Sequence, residues 1–112
     1  MRNYNSVYVQ KYHDSDEVEI SSEEYVLYKS TKSYCIRFRL NGLLHRTDGP
    51  AVEYMGGFKM YYVNGNRHRL DGPAVERKES DYKEWWVEGE RLWSLEDFEE
   101  AVAIYGGENG KL

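Results

Sequence analysis

Residues 40–53 read LNGLLHRTDGPAVE, and residues 63–76 read VNGNRHRLDGPAVE. Ten of the 14 aligned positions are identical, and the two stretches lie 23 residues apart. A fixed period of this length indicates a structural repeat, in which each copy is a small unit that packs against its neighbours. A third, degenerate copy begins at residues 85–89, WWVEG, where Glu-Gly replaces Asn-Gly and no Asp-Gly-Pro follows.

Each complete copy carries two turn signals. Asn-Gly tolerates positive φ at both central positions of a type I′ turn and predicts a tight hairpin. In Asp-Gly-Pro we expect the aspartate to bond to the backbone, the glycine to adopt a left-handed conformation and the proline to open the next strand. The predicted structural turn residues are Asn41, Gly42, Asp48, Gly49, Pro50, Asn64, Gly65, Asp71, Gly72 and Pro73.

Between the turns, the residues alternate as they do in strands. Residues 51–55 and 58–63 are predicted to form a hairpin around Gly56-Gly57, and residues 74–77 and 82–87 form a second one. The period of two assigns a core face to Phe38, Leu40, Tyr61, Val63, Trp85 and Val87. It assigns the opposite face to Arg37, Arg39, Met60, Tyr62, Glu84 and Trp86. On that face, Tyr62 and Trp86 form either a structural cation–π ladder over Arg39 or an exposed aromatic patch for a partner.

The two ends of the array differ from the repeat. Residues 94–106 predict a helix, because Ser94 can act as N-cap, apolar residues follow at helical spacing and Gly106-Gly107 stops them. We expect this helix to cover the open strand edge of the array. Near the N-terminus, residues 6–12 and 16–20 predict a hairpin around His13-Asp14-Ser15. Residues 22–29 fit either a strand or a short helix with a serine cap, and we favour the strand.

These elements predict a mainly β protein of the α+β class, an antiparallel β-hairpin repeat sheet or meander with one C-terminal capping helix. The 112 residues suit a single domain. Residues 1–33 form an N-terminal β cap, residues 34–93 hold two and a half hairpin repeats of about 23 residues, and residues 94–106 form the helix. The 11 Tyr and 3 Trp suit a thin, half-hydrated sheet, because each combines a large apolar area with a polar group.

The net charge of −5 is distributed unevenly. Residues 34–80 carry 8 basic and 5 acidic side chains, whereas residues 81–112 carry 3 basic and 9 acidic ones. The acidic end is interpreted as a solvated helix face, as a mask on the basic centre or as an attraction for a basic partner. An isoelectric point near 5.2 disfavours nucleic acid as a partner.

No part of the sequence indicates a membrane or a secretory route. Apolar runs stay well below the roughly 18 residues of a membrane helix, and the N-terminus lacks a signal-peptide pattern. Cys35 has no second cysteine to pair with, so we expect it to pack inside a strand in a reducing compartment. The predicted localisation is cytoplasmic.

His45-Arg46-x-Asp48 and His68-Arg69-x-Asp71 are the constellations that could carry chemistry, because a histidine, an arginine and a carboxylate can act on phosphoesters. Their duplication favours a structural role, in which each arginine pairs with a carboxylate and each histidine donates to the backbone. The candidate anion-binding residues are Arg46, Arg69, His45 and His68. No cofactor and no metal are predicted, because His13, His45 and His68 lack metal-ligand spacing.

The string Asn-Gly-x-x-His-Arg-x-Asp-Gly-Pro-Ala, preceded by an aromatic-aromatic-aliphatic strand at residues 61–63 and 85–87, resembles short repeats found in proteins of bacteriophages and large DNA viruses. These repeats are similar in design to MORN-type β-hairpin repeats. The resemblance covers residues 34–93, although the first copy has RFRL in the aromatic strand and the third lacks His-Arg and Asp-Gly-Pro. It implies a stacked β-hairpin sheet that serves as a binding scaffold rather than as an enzyme.

The leading functional hypothesis is a non-catalytic protein-binding module, and by association with small phage proteins an inhibitor of a host protein or defence system in the host cytoplasm. The candidate partner-binding residues are Arg39, Tyr62, Glu84 and Trp86. The alternative is a protein that binds or sequesters a small anionic ligand such as a nucleotide, between Arg39, Arg46, Arg69 and a tyrosine, with an oligomer as one form. A third hypothesis, an enzyme that uses His45 or His68, is disfavoured by the duplication.

Overall fold

The computed structural model of the protein describes residues 3–11, 16–29 and 34–109. Within these ranges the chain is mainly antiparallel β with two helices, which confirms the predicted fold class. The strands are β1 (Ser6–Lys11), β2 (Val18–Ile20), β3 (Tyr34–Leu40), β4 (Leu43–Leu44), β5 (Val52–Tyr54), β6 (Phe58–Met60), β7 (Tyr62–Val63), β8 (Asn66–Arg67), β9 (Val75–Arg77), β10 (Tyr82–Val87) and β11 (Glu90–Leu92). The helices are α1 (Ser22–Lys29) and α2 (Leu95–Asn109).

The strands form one long antiparallel ladder in the order β2-β1-β3-β5-β6-β9-β10-β11. Strand β4 also pairs with β3, and β7 pairs with β8. The strand predicted over residues 58–63 is interrupted at Tyr61, whose N–H donates to the carbonyl of Ala74. The predicted hairpin of β1 with β2 is confirmed, whereas the turn predicted at His13-Asp14-Ser15 lies outside the described residues.

The Asn-Gly turns adopt the conformation that the sequence predicts. Asn41 and Gly42 have φ of 52° and 85°, and Asn64 and Gly65 have 51° and 84°. Positive φ at both central residues defines the type I′ turn, whose twist matches that of the flanking strands. The degenerate third copy keeps this geometry at residues 88–89, with φ of 53° and 81°. Three hairpin arms of equivalent shape therefore follow one another, namely β3–β4, β7–β8 and β10–β11.

The prediction of a strand over residues 22–29 is wrong, because these residues form α1. The Ser21 Oγ accepts the Glu24 N–H at 3.2 Å, and the Glu24 carboxylate accepts the Ser21 N–H at 2.9 Å, which is the reciprocal capping box of a helix start. Topology supplies a second reason. Since β2 and β3 flank β1, the chain between them must cross β1, and α1 makes that crossing with the Tyr25 ring against Phe38.

The C-terminal helix is confirmed, but two details of its prediction are wrong. The helix continues through Gly106-Gly107 to Asn109, beyond the predicted end at residue 106. It also packs on a face of the last hairpins rather than along their edge, with Phe98 against Trp85 and Tyr105 against the ring of His68. The Ser94 cap is confirmed, because its Oγ accepts the Asp97 N–H at 3.0 Å. The strand edge of β11 is therefore left uncovered by these contacts.

The two helices lie on one face of the sheet, which we call the helix face. Phe38 and Val87 are buried there, while Leu40, Tyr61, Val63 and Trp85 are partly buried. A cluster of buried apolar residues joins β1, β2, α1 and β3 through Tyr4, Val7, Val9, Ile20, Tyr25, Ile36 and Phe38. The opposite face, which we call the open face because neither helix packs on it, carries the row Arg37, Val52, Met60, Val75 and Glu84 in register, in which Val52 and Val75 are buried. The parity prediction is confirmed for both faces.

Candidate functional site

The Arg46 guanidinium forms a clamp that closes the first Asp-Gly-Pro loop. Its Nε donates to the Asp48 carboxylate at 2.8 Å, and its Nη1 donates to the Pro50 carbonyl and to the Glu53 carboxylate, both at 3.1 Å. The guanidinium carbon lies 4.0 Å from the centre of the Phe38 ring. One cation thus joins both ends of the loop to the strand that follows and to the core aromatic beneath it.

The second copy repeats this clamp almost atom for atom. The Arg69 Nε donates to Asp71 at 2.9 Å, and its Nη1 donates to the Pro73 carbonyl at 3.0 Å and to Glu76 at 3.1 Å. The guanidinium carbon lies 4.0 Å from the centre of the Tyr61 ring, the repeat equivalent of Phe38. The expected arginine–carboxylate pairs are therefore present in both copies.

The glycines of Asp-Gly-Pro serve a different purpose from the one predicted. Gly49 and Gly72 do not have the left-handed conformation that we expected of them. Instead, a Cβ at either position would lie 2.8 Å from the guanidinium carbon of Arg46 or Arg69. The glycines are needed because the arginine passes directly over their backbone, a reason that turn propensity alone does not reveal.

Each histidine holds the hairpin of the following copy. The Asn64 N–H donates to Nδ1 of His45 at 2.9 Å, and the Glu88 N–H donates to Nδ1 of His68 at 2.9 Å. The prediction that these histidines donate to the backbone is therefore wrong, because Nδ1 accepts. Burial lowers the pKa of His68 below its usual value, partly offset by the Glu88 carboxylate. With Nδ1 as acceptor, the neutral ring carries its proton on Nε2, which is buried without a partner in the described part of the chain.

A cleft of about 550 Å³ lies between the two Asp-Gly-Pro loops. It brings together Arg46, Arg69 and His68 of the predicted anion-binding set, beside Tyr61, but neither His45 nor Arg39 lines it. Both guanidiniums already bind two carboxylates each, and Asp48 and Asp71 line the same cleft. Each positive charge in the cleft is therefore matched by a negative one.

On the open face, the predicted cation–π ladder exists, but its cation is Arg67 rather than Arg39. The Arg67 guanidinium lies 5.8 Å from the Tyr62 ring centre and 5.0 Å from that of Trp86. Arg39 instead lies 4.9 Å from the Tyr8 ring and pairs with Glu17. The physical reason is register: Arg67 lies directly across the hairpin from Tyr62, whereas Leu44 lies across from Arg39 and separates it from the aromatic pair.

Glu84 contacts several aromatic and arginine side chains of the open face. Its carboxylate accepts the Trp86 Nε1–H at 2.8 Å and the Tyr82 hydroxyl, and it lies 3.9 Å from Arg67 and 3.8 Å from Arg91. Burial tends to raise the Glu84 pKa, but the hydrogen bonds and the two cations outweigh it and leave the pKa lowered. Glu84 was predicted to bind a partner, but its hydrogen bonds and ion pairs instead hold the neighbouring aromatic side chains in place.

Three residues of this surface were missed by the sequence analysis. Arg67 and Arg91 lie across from Tyr62 and Trp86 in their hairpins, so strand parity around the type I′ turns could have found both. Trp93, whose ring lies 3.9 Å from the Arg91 guanidinium, stands at the repeat position of Arg46 and Arg69. We call the row Tyr62, Arg67, Trp86, Arg91 and Trp93 the aromatic row.

The described residues place no three His, Cys, Asp or Glu side chains together in a way that could hold a metal ion. Cys35 is buried in β3, where burial raises its pKa. Among the described residues, no helix is long and apolar enough to cross a membrane. Comparison with family models, curated proteins and solved structures finds no match for this chain.

Proposed function

We propose that the protein is a non-catalytic protein-binding module whose contact surface is the aromatic row of the open face. The supporting observation is that its rings are partly exposed yet held in place before any partner arrives. Arg67 lies between Tyr62 and Trp86, and Glu84 accepts a hydrogen bond from the Trp86 ring. Rigid aromatic and arginine side chains lose little conformational entropy on binding and dominate the energy of protein interfaces.

The state of the histidines supports a non-catalytic function. A histidine that acts as a general base needs a free nitrogen within reach of the proton that it removes. In both His45 and His68 the Nδ1 atom already accepts a backbone N–H, and Nε2 of His68 is buried. Through Nδ1, both residues have a structural role as links between successive hairpins.

More specifically, we propose that the protein is of bacteriophage or viral origin and inhibits a host protein or defence system in the host cytoplasm. This proposal relies on the resemblance of the repeat to those of phage and large-virus proteins. A small scaffold without catalytic residues can inhibit by occupying a surface of its target.

The proposal is tested by affinity capture from a bacterial lysate at moderate and high salt, followed by mass spectrometry. We expect one abundant partner that survives high salt and that Trp86→Ala retains about tenfold less, the loss of one interface hot spot. Ile104→Ala is the matched control, because Ile104 is an exposed apolar residue on α2. Melting temperatures of both variants establish that they are folded. Capture of nothing, or equal capture by Trp86→Ala, would overturn the proposal.

A second candidate function, binding of a small anionic ligand such as a nucleotide, is favoured by the cleft between the loops. Its volume of about 550 Å³ lies within the range of ligand sites, and Tyr61 offers an aromatic surface beside two arginines. An anion there would have to replace Asp48 or Asp71 on its arginine. A rise in melting temperature with nucleotides, absent in Arg69→Ala, would support this function, and no rise would eliminate it.

A further inference from the structure

Successive hairpin arms are joined by two backbone hydrogen bonds in a repeated register. Between the first two arms, the Arg46 N–H donates to the Tyr62 carbonyl at 3.0 Å and the Gly65 N–H donates to the Leu44 carbonyl at 2.8 Å. Between the next two, the Arg69 N–H donates to the Trp86 carbonyl at 3.1 Å and the Gly89 N–H to the Arg67 carbonyl at 2.9 Å. Each arm thus offers one acceptor and one donor to the arm that follows.

At the N-terminal end, Asn5 gives the first arm one of these two backbone bonds and, through its side chain, the contact that a histidine makes between the later arms. The Asn5 N–H donates to the Arg39 carbonyl at 2.9 Å, as the Arg46 N–H does to Tyr62. The Asn5 Oδ1 accepts the Asn41 N–H at 3.2 Å, as Nδ1 of His45 does for Asn64. Asn5 therefore imitates a preceding copy and closes this end of the array.

At the C-terminal end, the equivalent positions are the Arg91 carbonyl and the Trp93 N–H. Neither has a backbone partner within residues 3–11, 16–29 and 34–109. Trp93 is 77% exposed, and the Arg91 guanidinium stacks on its ring. Since α2 packs through Trp85 and His68, it covers a face of the last arms and leaves this edge open. An unpaired strand edge beside an exposed tryptophan is a ready template for another strand.

We propose that the outer edge of β11 is a strand-addition site for a basic, extended segment of a partner protein. The segment pairs antiparallel with β11. One of its backbone carbonyls accepts a hydrogen bond from the Trp93 N–H, one of its N–H groups donates to the Arg91 carbonyl, and a side chain packs on the Trp93 ring. This inference rests on the proposed function, because it presupposes a protein ligand. The site lies at the end of the aromatic row. There, the partner would pair with the backbone of β11 and carry positive charge.

Charge selects a basic partner over a second copy of this chain. Residues 81–112 carry 9 acidic and 3 basic side chains, and Glu88, Glu90, Glu96 and Asp97 flank the edge in sequence and are exposed. A second β11 would bring the same acids. The far edge strand of the ladder, β2, carries Glu19 and follows Asp16 and Glu17, and the first arm is closed by Asn5. Each of these self-pairings opposes like charges or lacks a free edge.

The site is tested with a synthetic peptide of residues 58–69, FKMYYVNGNRHR, which is basic and has the sequence of the arm that docks on β4. We expect hydrogen exchange at the Trp93 amide to slow by a factor of 1 + [peptide]/Kd, about tenfold at nine times Kd. A version with Lys59, Arg67 and Arg69 replaced by Glu serves as the charge control and should not bind. No slowing at Trp93, or equal slowing with both peptides, would overturn the proposal.

Two variants separate the backbone contact from the ring. Trp93→Pro removes both the ring and the N–H, whereas Trp93→Val removes the ring alone. Because Leu92 is already extended in β11, a proline after it fits, and melting temperatures verify the fold of both variants. By fluorescence anisotropy with a labelled peptide, we expect Trp93→Pro to bind several-fold more weakly than Trp93→Val. Equal affinity would overturn strand addition.

Two further outcomes distinguish this site from its alternatives. Protection of the Trp93 amide that rises with protein concentration without peptide would assign the edge to a second copy and overturn the basic partner. If the lysate partner binds through Trp86 while the peptide leaves Trp93 unprotected, the proposed function stands and only the edge site fails. If the peptide binds and no lysate partner depends on Trp86, the edge site stands alone.

Discussion

The first and second Asp-Gly-Pro loops have the same residues and nearly the same distances, yet their surroundings differ. In the first, the side chains of Arg46 and Glu53 are 12% and 5% exposed, because the Tyr25 hydroxyl of α1 also donates to Glu53 at 3.0 Å. In the second, the side chains of Arg69 and Glu76 are 21% and 30% exposed. Local sequence therefore determines the shape of the clamp, while the element packed over it determines how much the clamp contributes to stability.

The largest expected difference comes from removing the two arginines. Arg46→Ala leaves Glu53 buried without its cation, and we expect it to lower the free energy of unfolding by about 3–5 kcal/mol. Arg69→Ala exposes Glu76 to water and should cost about 1–2 kcal/mol, mainly from the lost hydrogen bonds. Urea unfolding of both variants measures the difference. Equal losses would contradict the role of α1 as the cover of the first clamp.

A methyl group added to the glycine of each loop should also affect the two copies differently. A Cβ meets the guanidinium carbon at 2.8 Å in both copies, but the Arg46 side chain is 12% exposed and held by the buried Glu53, whereas the Arg69 side chain is 21% exposed and pairs with the more exposed Glu76. We expect Gly49→Ala to cost about 1–3 kcal/mol and Gly72→Ala distinctly less. Gly106→Ala is the control, because nothing lies within 4 Å of its Cβ and alanine favours the helix. Its unfolding free energy should not fall, and a larger loss for Gly72→Ala than for Gly49→Ala would contradict the comparison.

The histidine of the second copy predicts a pH dependence. Because the folded pKa of His68 is lowered below its usual value near 6.5, the unfolded chain binds the proton more readily. Stability is therefore full above about pH 6.5 and falls as pH drops from there toward the folded pKa, by about 1.4 kcal/mol for each unit of lowering. His68→Asn keeps an acceptor for the Glu88 N–H, as Asn5 does for Asn41, but cannot titrate there. Unfolding free energies between about pH 5 and 8 should show a shallower slope for this variant, and an unchanged slope would exclude His68 as the cause.

The smallest expected effect lies at the N-terminal closure. Asn5→Ala keeps the backbone bond to Arg39 and removes the side-chain bond to Asn41 at an exposed position. We expect a loss of about 0.5–1 kcal/mol and faster hydrogen exchange at the Asn41 amide. Asn66→Ala, also at an exposed position next to a type I′ turn, is the control. If exchange at Asn41 does not change, Asn5 does not substitute for a preceding copy.

Much of the fold was predictable because its signals are local. Asn-Gly requires positive φ at both residues, so the turns at residues 41–42 and 64–65 could be assigned from two letters each. Strand alternation then assigned the two faces correctly. The strand prediction for residues 22–29 failed because it overlooked the local capping signal of Ser21 and Glu24, and because the crossing over β1 is visible only in the strand order.

The candidate site was predictable only in part, since partners depend on register. Tyr62 and Trp86 were found by parity, but the cation between them is Arg67, which reaches both because the hairpin arms stack. The glycines of Asp-Gly-Pro were recognised as turn residues, while the arginine that passes over them became visible only when the loop closed. Side-chain contacts across a loop are not encoded in the propensity of either residue.

The sequence alone was sufficient for the repeat, its period, its type I′ turns, the two faces of its strands and the helix cap at Ser94, because each depends on backbone preferences or on spacing within a few residues. The packed fold was required for the rest. It determined which clamp is buried, which cation lies between the aromatic rings and which strand edge stays open. Those features arise from contacts between residues far apart in the chain. The positions of α1, α2 and Asn5 determine which clamp is covered and which end of the array is closed.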